Sequence, residues 1–427
     1  MISIKVWAFA RAATAMLLCA SWSNAQVPEC SGSIGRGDVI RCALRASLSA
    51  AVERGALTAA QAREVAGSPL LPSNPVLSAT VGRRSIPGGV STYNWYASLS
   101  QELEIAGQRG ARRGAAQSEV SAHAARLVLS QRNVAVEAWV RYFEAIAARE
   151  QLALALRLTA ASEALATVVG AKAESGILAP VDADVTDALL ARALQAKFAA
   201  ERRALVATAA LASLLGRDPA TAAAAIDGEL VPLNVDRIAK LAPAGITQRP
   251  EIQAADSERR AQLQRAEGYR RARVPNPTLS AFVENDGLNE RVFGAGLALP
   301  IPLPGNVGRT YAGEIAEAEA LASRAGSERR LIERGVRLEL VSARQAYQSR
   351  SRELAVFTPE KLARAAQTLD DLRGQVEAGR LPVRDAIVAQ QTLIDFIEAG
   401  LAARLELCLA SVELARAAGF PLESRLP

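Results

Sequence analysis

Four short stretches of the chain alternate apolar and polar positions with a period of two. In the first, Leu77, Ala79 and Val81 fall on one side, and Ser78 and Thr80 on the other. A turn-like stretch follows from Arg83 to Gly89. Tyr93, Trp95, Ala97 and Leu99 then share one face, opposite Thr92, Asn94, Ser98 and Ser100. The arrangement recurs later, where Leu279, Ala281 and Val283 alternate with Thr278, Ser280 and Glu284. Past Asn285-Asp286-Gly287, the positions Phe293, Ala295, Leu297 and Leu299 continue it. Alternation bounded by Gly, Pro and Asn predicts β-strands with one apolar and one small-polar face.

After each strand pair comes a turn marked by Gly or Pro, around Gly107 and from Pro300 to Gly305, and the pattern becomes helical. From about Ala111 to Glu174 there is no proline, and Trp139, Phe143 and Ile146 stand at i, i+4, i+7. At a rise of 1.5 Å per residue such a helix reaches about 95 Å. Ser175-Gly176 turns the chain into a return helix that ends near Gly216. In the later copy a helix from about Ala312 is interrupted at Thr358-Pro359, turns at Ala378-Gly379 and returns to Gly419. Helices of this length, rich in Ala, Leu, Glu, Arg and Gln, imply coiled-coil-like packing of antiparallel hairpins.

The two copies align at a shift of 203 residues, which carries Gly176 onto Gly379, Leu178 onto Leu381, Asp182 onto Asp385 and Gly216 onto Gly419. From Gly176 to Gly216, 13 of 41 positions are identical without a gap, and the shared Gly, Asp and Leu exclude alanine richness as the sole cause. Upstream, Asn74-Pro75 matches Asn276-Pro277 at a shift of 202. The expected organisation is a first unit over 26–225 and a second over 226–427. That period is too long for a solenoid array.

Residues 1–25 read as a secretory signal: Lys5 and Arg11, an apolar stretch from Ala12 to Ala20, and a small-residue site at Ser23-Asn24-Ala25. Leu18 stands before Cys19, where a lipoprotein signal needs a small residue, which argues against lipidation. Beyond the signal the best apolar run, Ala204 to Gly216, has 13 residues, short of the roughly 18 to 20 that a spanning helix needs. Four strands cannot close a barrel, and lipid tolerates no open sheet edge. If they span a membrane the chain must oligomerise, since bacterial barrels need about eight strands or more.

Composition narrows the function. Lys and Arg number 50 against 44 Asp and Glu, a net charge of +6 that falls to +4 once Lys5 and Arg11 leave with the signal. The charges are spread along the chain, and aromatics make up 4%, so neither a basic patch nor a stacking platform for nucleic acid is present. Cys30 and Cys42, 12 apart in an exported segment, are a candidate disulfide. Cys408 lies in an apolar helical stretch and reads as a small buried hydrophobe. His123 is the one histidine, and both methionines fall within the signal. No metal site, cofactor site or catalytic constellation is expected, which sets an enzyme aside.

The signal, the Asn-Pro-x-Leu-Ser strand starts at Asn74 and Asn276, and the Gly-x5-Asp turns at Gly176/Asp182 and Gly379/Asp385 carry a resemblance. In that order, in two copies, they resemble outer-membrane efflux proteins of the TolC family. The resemblance implies an α+β membrane protein and a homotrimer. Its twelve-stranded β-barrel, four strands per chain, sits in outer-membrane lipid. A long α-helical coiled-coil tunnel continues it through the periplasm of a Gram-negative bacterium. It also implies an exit duct served by a periplasmic adaptor (a membrane fusion protein) and an inner-membrane transporter of the resistance-nodulation-division (RND) class. The segments LPSNPVLSA, VPNPTLSA and LPIPLPGNVG look most like the branch that exports cobalt, zinc, cadmium or nickel. Alternatives are a duct for drugs, a periplasmic adaptor, or a coiled-coil structural protein. An adaptor would show one helical hairpin rather than two.

By the same resemblance, the turns at Gly176 and Gly379 form the periplasmic tip, and Asp182 and Asp385 align with acidic positions of its constriction. Asp184 and Asp187 add charge in the first copy only. Two readings stand for these carboxylates: completion of helix starts, where the macrodipole favours negative charge, and gating or cation conduction. Drug-exporting members carry a Tyr and an Arg where this chain has Val376 and Leu381, with Arg380 and Arg384 nearby. Tyr93, Trp95 and Phe293 fit either an interfacial aromatic rim or plain strand packing. His123 reads as an ordinary surface or packed histidine.

Overall fold

The alternating stretches form β1 (Val76–Arg84), β2 (Thr92–Glu102), β3 (Thr278–Asn285) and β4 (Arg291–Ala298). The structure is a computed structural model that describes residues 30, 32–85, 87–89, 91–219, 226–234, 248–285, 290–305 and 307–420. The signal expected over 1–25, and Asp286-Gly287 of the second hairpin loop, lie outside them. The strands make one antiparallel sheet in the order β1-β2-β3-β4. Leu77 pairs with Leu99, Leu99 with Ala281, and Ala281 with Ala295. One rung along, Ser78 pairs with Ser98, Ser98 with Phe282, and Phe282 with Gly294. Because side chains alternate across a pleated strand, the register gathers the apolar set on one face and the small-polar set on the other. Among the described residues nothing covers the apolar face: Leu77 is 74% exposed and Phe293 76%.

Every strand is joined to a helix at the same end of the sheet. Helices α1 (Val39–Ala46) and α2 (Leu48–Gly67) precede β1, and α3 (Gln108–Glu174) follows β2. Its partner α4 (Pro180–Leu214) returns along it. The second copy enters β3 from α5 (Pro250–Ala272) and leaves β4 into α6 (Ala312–Ala355), α7 (Pro359–Glu377) and α8 (Val383–Ala417). Nearest the sheet the helices pack in the order α2-α3-α5-α6, matching the strand order. At 67 residues, α3 runs about 100 Å. The second copy splits the same length at Pro359, where Thr358 Oγ1 accepts from the Lys361 backbone N–H and starts α7 afresh.

One 18-residue window of α3 reaches a mean hydropathy of 1.6, enough on composition to cross a membrane. Its helix instead fills seams between neighbours, with Leu158, Leu165 and Val169 buried against α7 and α8. The largest core lies further up α3, where Trp139, Tyr142 and Phe143 meet Val39, Cys42, Leu211, Leu230, Leu233, Cys408 and Val412. Trp139 stacks on Phe143 with centroids 5.5 Å apart. The Tyr142 hydroxyl donates to the Asp227 carbonyl at 2.7 Å. Cys30 and Cys42 are joined as a disulfide, Cα to Cα 5.9 Å, at the edge of this core. Here the ends of both return helices converge on one girdle.

Candidate functional site

Two places in the fold can act on something outside the chain: the sheet with its foot, and the paired hairpin turns at the far end of the helices.

At the foot, Asn276 explains the Asn-Pro strand start. Its Oδ1 accepts from Gln108 Nε2 at 2.8 Å, and its Nδ2 donates to Glu102 Oε1 at 2.7 Å. The side chain therefore clamps the entry of β3 to the exit of β2. Arg112 braces the same corner with a forked pair to Glu104, 2.6 and 3.2 Å, and a bond to the Gly67 carbonyl. Asn74, the first-copy counterpart, stands before the edge strand β1. Its side chain is exposed and makes no hydrogen bond among the described residues. Among the described residues nothing occupies the place that Gln108 and Glu102 hold for Asn276.

The sheet carries its aromatics on both faces. Tyr93, Trp95 and Phe293 lie on the apolar face, toward the end of the strands that the helices do not touch. The other face holds Tyr96 and Phe282, in the middle of β2 and β3. Reading the alternation from sequence passed over these two, because both interrupt an otherwise small-polar register.

At the opposite end, Gly176 and Gly379 adopt φ of 74° and 68°. Each is the left-handed residue of a Schellman turn: Ile177 N–H bonds the Lys172 carbonyl and Arg380 N–H the Gln375 carbonyl, both at 2.9 Å. A residue with a Cβ would be strained at either position, which accounts for the glycine in both copies. The two turns lie side by side. Leu165, Val169, Leu178, Val376, Leu381 and Val383 close an apolar seam between them. Val376 and Leu381 thus pack inward. The Arg380 and Arg384 side chains are exposed and make no hydrogen bond or ion pair among the described residues.

Asp182 and Asp385 occupy the same place, the third residue of α4 and of α8, each in a first turn opened at or beside a proline. Asp182 is half-buried; Asp184, Asp187 and Asp385 are exposed. Among the described residues no three His, Cys, Asp or Glu side chains converge as a metal site. His123 is half-buried on α3, its Nδ1 enclosed without a hydrogen-bond partner.

Residues 43–217 match the family model described as "Outer membrane efflux protein", a span from α1 to the turn after α4. No curated protein matches the chain by sequence. Solved structures match nearly all of it. The outer membrane protein VceC of Vibrio cholerae is 20% identical, covering 89% of this chain and 95% of its own, with a TM-score of 0.70. The open-state MtrE outer membrane channel of Neisseria gonorrhoeae is 18% identical over 90% and 89%, with a TM-score of 0.67. The CmeC outer membrane channel of Campylobacter jejuni reaches 0.63 at 15% identity over 90% and 85%. The fold of this chain is that of outer-membrane channels.

Proposed function

We propose that this chain is one third of an outer-membrane exit duct of a tripartite efflux pump. Three copies close a twelve-stranded barrel in outer-membrane lipid, and their helical hairpins form a tunnel through the periplasm. The tip at Gly176 and Gly379 meets a periplasmic adaptor and, through it, an RND transporter that supplies the energy. The duct itself conducts passively and catalyses no reaction.

The observation that carries this reading is the matched incompleteness of both layers. In the sheet, β1 and β4 each leave one edge unpaired. In the helical layer, the flanking helices α2 and α6 expose Leu48, Val52 and Val65 on one side, and Leu331, Leu338 and Val341 on the other. An apolar sheet face with open edges cannot sit in lipid alone, and side chains of this size left in water mark an interface. A neighbour that adds β4 to β1 also covers α2 with α6, so one rotation satisfies both layers. Chemical crosslinking of the detergent-extracted protein should give trimers, and planar bilayers should show discrete conductance steps. Monomers released without detergent would sink the proposal.

We assign divalent metal cations as the cargo, on the LPSNPVLSA, VPNPTLSA and LPIPLPGNVG segments. Deleting the gene should sensitise cells to cobalt, nickel, zinc or cadmium, while the purified trimer binds these ions weakly, as a duct must to release them. A second reading, organic cargo, is favoured by the Tyr96–Phe282 ring pair on the small-polar face of the sheet. Unchanged metal tolerance with raised drug sensitivity would select it.

A further inference from the structure

The small-polar face of the sheet is built from Ser78, Thr80, Asn94, Ser98, Ser100 and Ser280, whose side chains share it by register. Two rings break that pattern. Tyr96 and Phe282 stack with centroids 5.6 Å apart and planes 28° from parallel. They sit mid-strand, away from both ends of the sheet, so an interfacial anchoring role does not explain them. Across from Phe282 on β4 is Gly294, where a Cβ would lie 2.3 Å from the ring's Cζ. The ring therefore lies over bare backbone, and a side chain at 294 would push it away. Glu284 is the cross-strand partner of Tyr96 and projects from the same face. Among the described strand residues, the cation that shares this face is Arg84, at the far end of β1 opposite Thr92.

Stacked rings beside a carboxylate have a defined chemical preference. Ring faces attract weakly hydrated cations and stack on other rings. A divalent metal ion keeps its water shell and gains little from them. The carboxylate adds charge complementarity for any cation.

We propose that Tyr96, Phe282 and Glu284 form a site on the pore wall for organic cations that carry an aromatic ring, three sites per trimer. It rests on the duct reading, in which the small-polar face lines the lumen. The site retards such a cation without trapping it, and gives the duct a preference of its own among the compounds passing through.

The test uses wild-type trimers in planar bilayers, with tetraphenylphosphonium as the probe and tetramethylammonium as the ring-free control. Tetraphenylphosphonium should reduce single-trimer conductance at concentrations where tetramethylammonium does not. Replacing the rings by leucine, Tyr96→Leu with Phe282→Leu, keeps apolar bulk on the strands. It should raise the half-blocking concentration of tetraphenylphosphonium by about tenfold. Glu284→Gln should raise it by about threefold and leave block less sensitive to salt than in the wild type, where added salt screens the carboxylate. Equal half-blocking concentrations in the wild type and the double leucine variant, with potassium chloride conductance intact in both, would overturn the site. Wild-type protein that forms no pore would instead overturn the duct reading beneath it.

Discussion

The ammonium of Lys172, in the last turn of α3, donates to the carbonyl oxygen of Val376 at 2.8 Å. A second bond runs to the Glu377 carbonyl at 3.0 Å. Both acceptors belong to the end of α7, so a cation from one hairpin caps the negative end of a helix in the other. Around it lies the apolar seam of Leu165, Val169, Leu178 and Val376. Val376 and Leu381 are apolar and pack into that seam. In this chain the turns are joined by packing and by one lysine.

Lys172→Met retains most of the stem and removes the charge. Charge-assisted bonds to backbone carbonyls contribute about 1.5–3 kcal/mol at most, and less where water competes. The expected outcome is a looser tip, with raised conductance or more frequent opening in bilayers, while Lys172→Arg behaves as wild type. If Lys172→Met trimers conduct as before, the apolar seam alone holds the turns together.

The paired carboxylates can be separated from their capping role by charge alone. Asp182→Asn with Asp385→Asn preserves shape and hydrogen-bonding capacity at the third position of each helix. In the conduction reading, six negative charges leave the trimer axis and the permeability ratio of cations to anions falls. In the capping reading that ratio is unchanged, and stability alone drops, by about 0.3–1 kcal/mol per site. Reversal potentials in a salt gradient distinguish the two.

The parts of the fold legible in the sequence are those whose period is written in large or special side chains. Leu77, Val81, Trp95 and Leu99 announce strands, and Gly176, Gly216, Gly379 and Gly419 announce turns because each needs a positive φ. Helices α2 and α5 left no comparable signal. On α5 the buried positions include Ala254, Ser257, Ala261 and Ala266, beside Pro250, Ile252 and Gln262, and most are so small that contact with α3 looks like background alanine. The aromatic pair on the sheet escaped for another reason. Tyr96 and Phe282 contradict the alternation around them, and only the register, which puts Gly294 across from Phe282, shows how the rings are accommodated.

Asn74 and Asn276 should behave differently despite sharing a motif. Asn276→Ala removes a clamp inside the chain and takes a partner from the Glu102 carboxylate, a loss of about 1–3 kcal/mol that lowers the melting temperature of every assembly state. Asn74→Ala removes no side-chain hydrogen bond among the described residues. Its effect should fall on the trimer, seen as dissociation at a lower temperature in semi-native gels, with the monomer's helical signal unchanged. An Asn74→Ala trimer that dissociates at the wild-type temperature would mean that Asn74 makes no contact with a neighbour.

The buried thiol of Cys408 gives a pH test of the girdle. It sits at 0% exposure among Trp139, Leu211 and Val412, and burial pushes its pKa from an ordinary 9.0 to about 12. Burial penalises the thiolate, so the folded chain holds the proton where the unfolded chain has lost it. The associated stability is complete below the unfolded value and declines as pH rises from about 9 toward 12. In that window the decline is about 1.4 kcal/mol per pH unit. Thermal melts between pH 8 and 11 should therefore steepen in the wild type relative to Cys408→Ala, which lacks the titrating group. The same burial predicts that a thiol reagent leaves the folded, unreduced trimer unmodified at pH 8. One thiol per chain should react in denaturant, and three after reduction opens Cys30–Cys42, counting the exported chain without Cys19. Rapid labelling of the folded protein would show that the girdle around Trp139 opens far more readily than its packing implies.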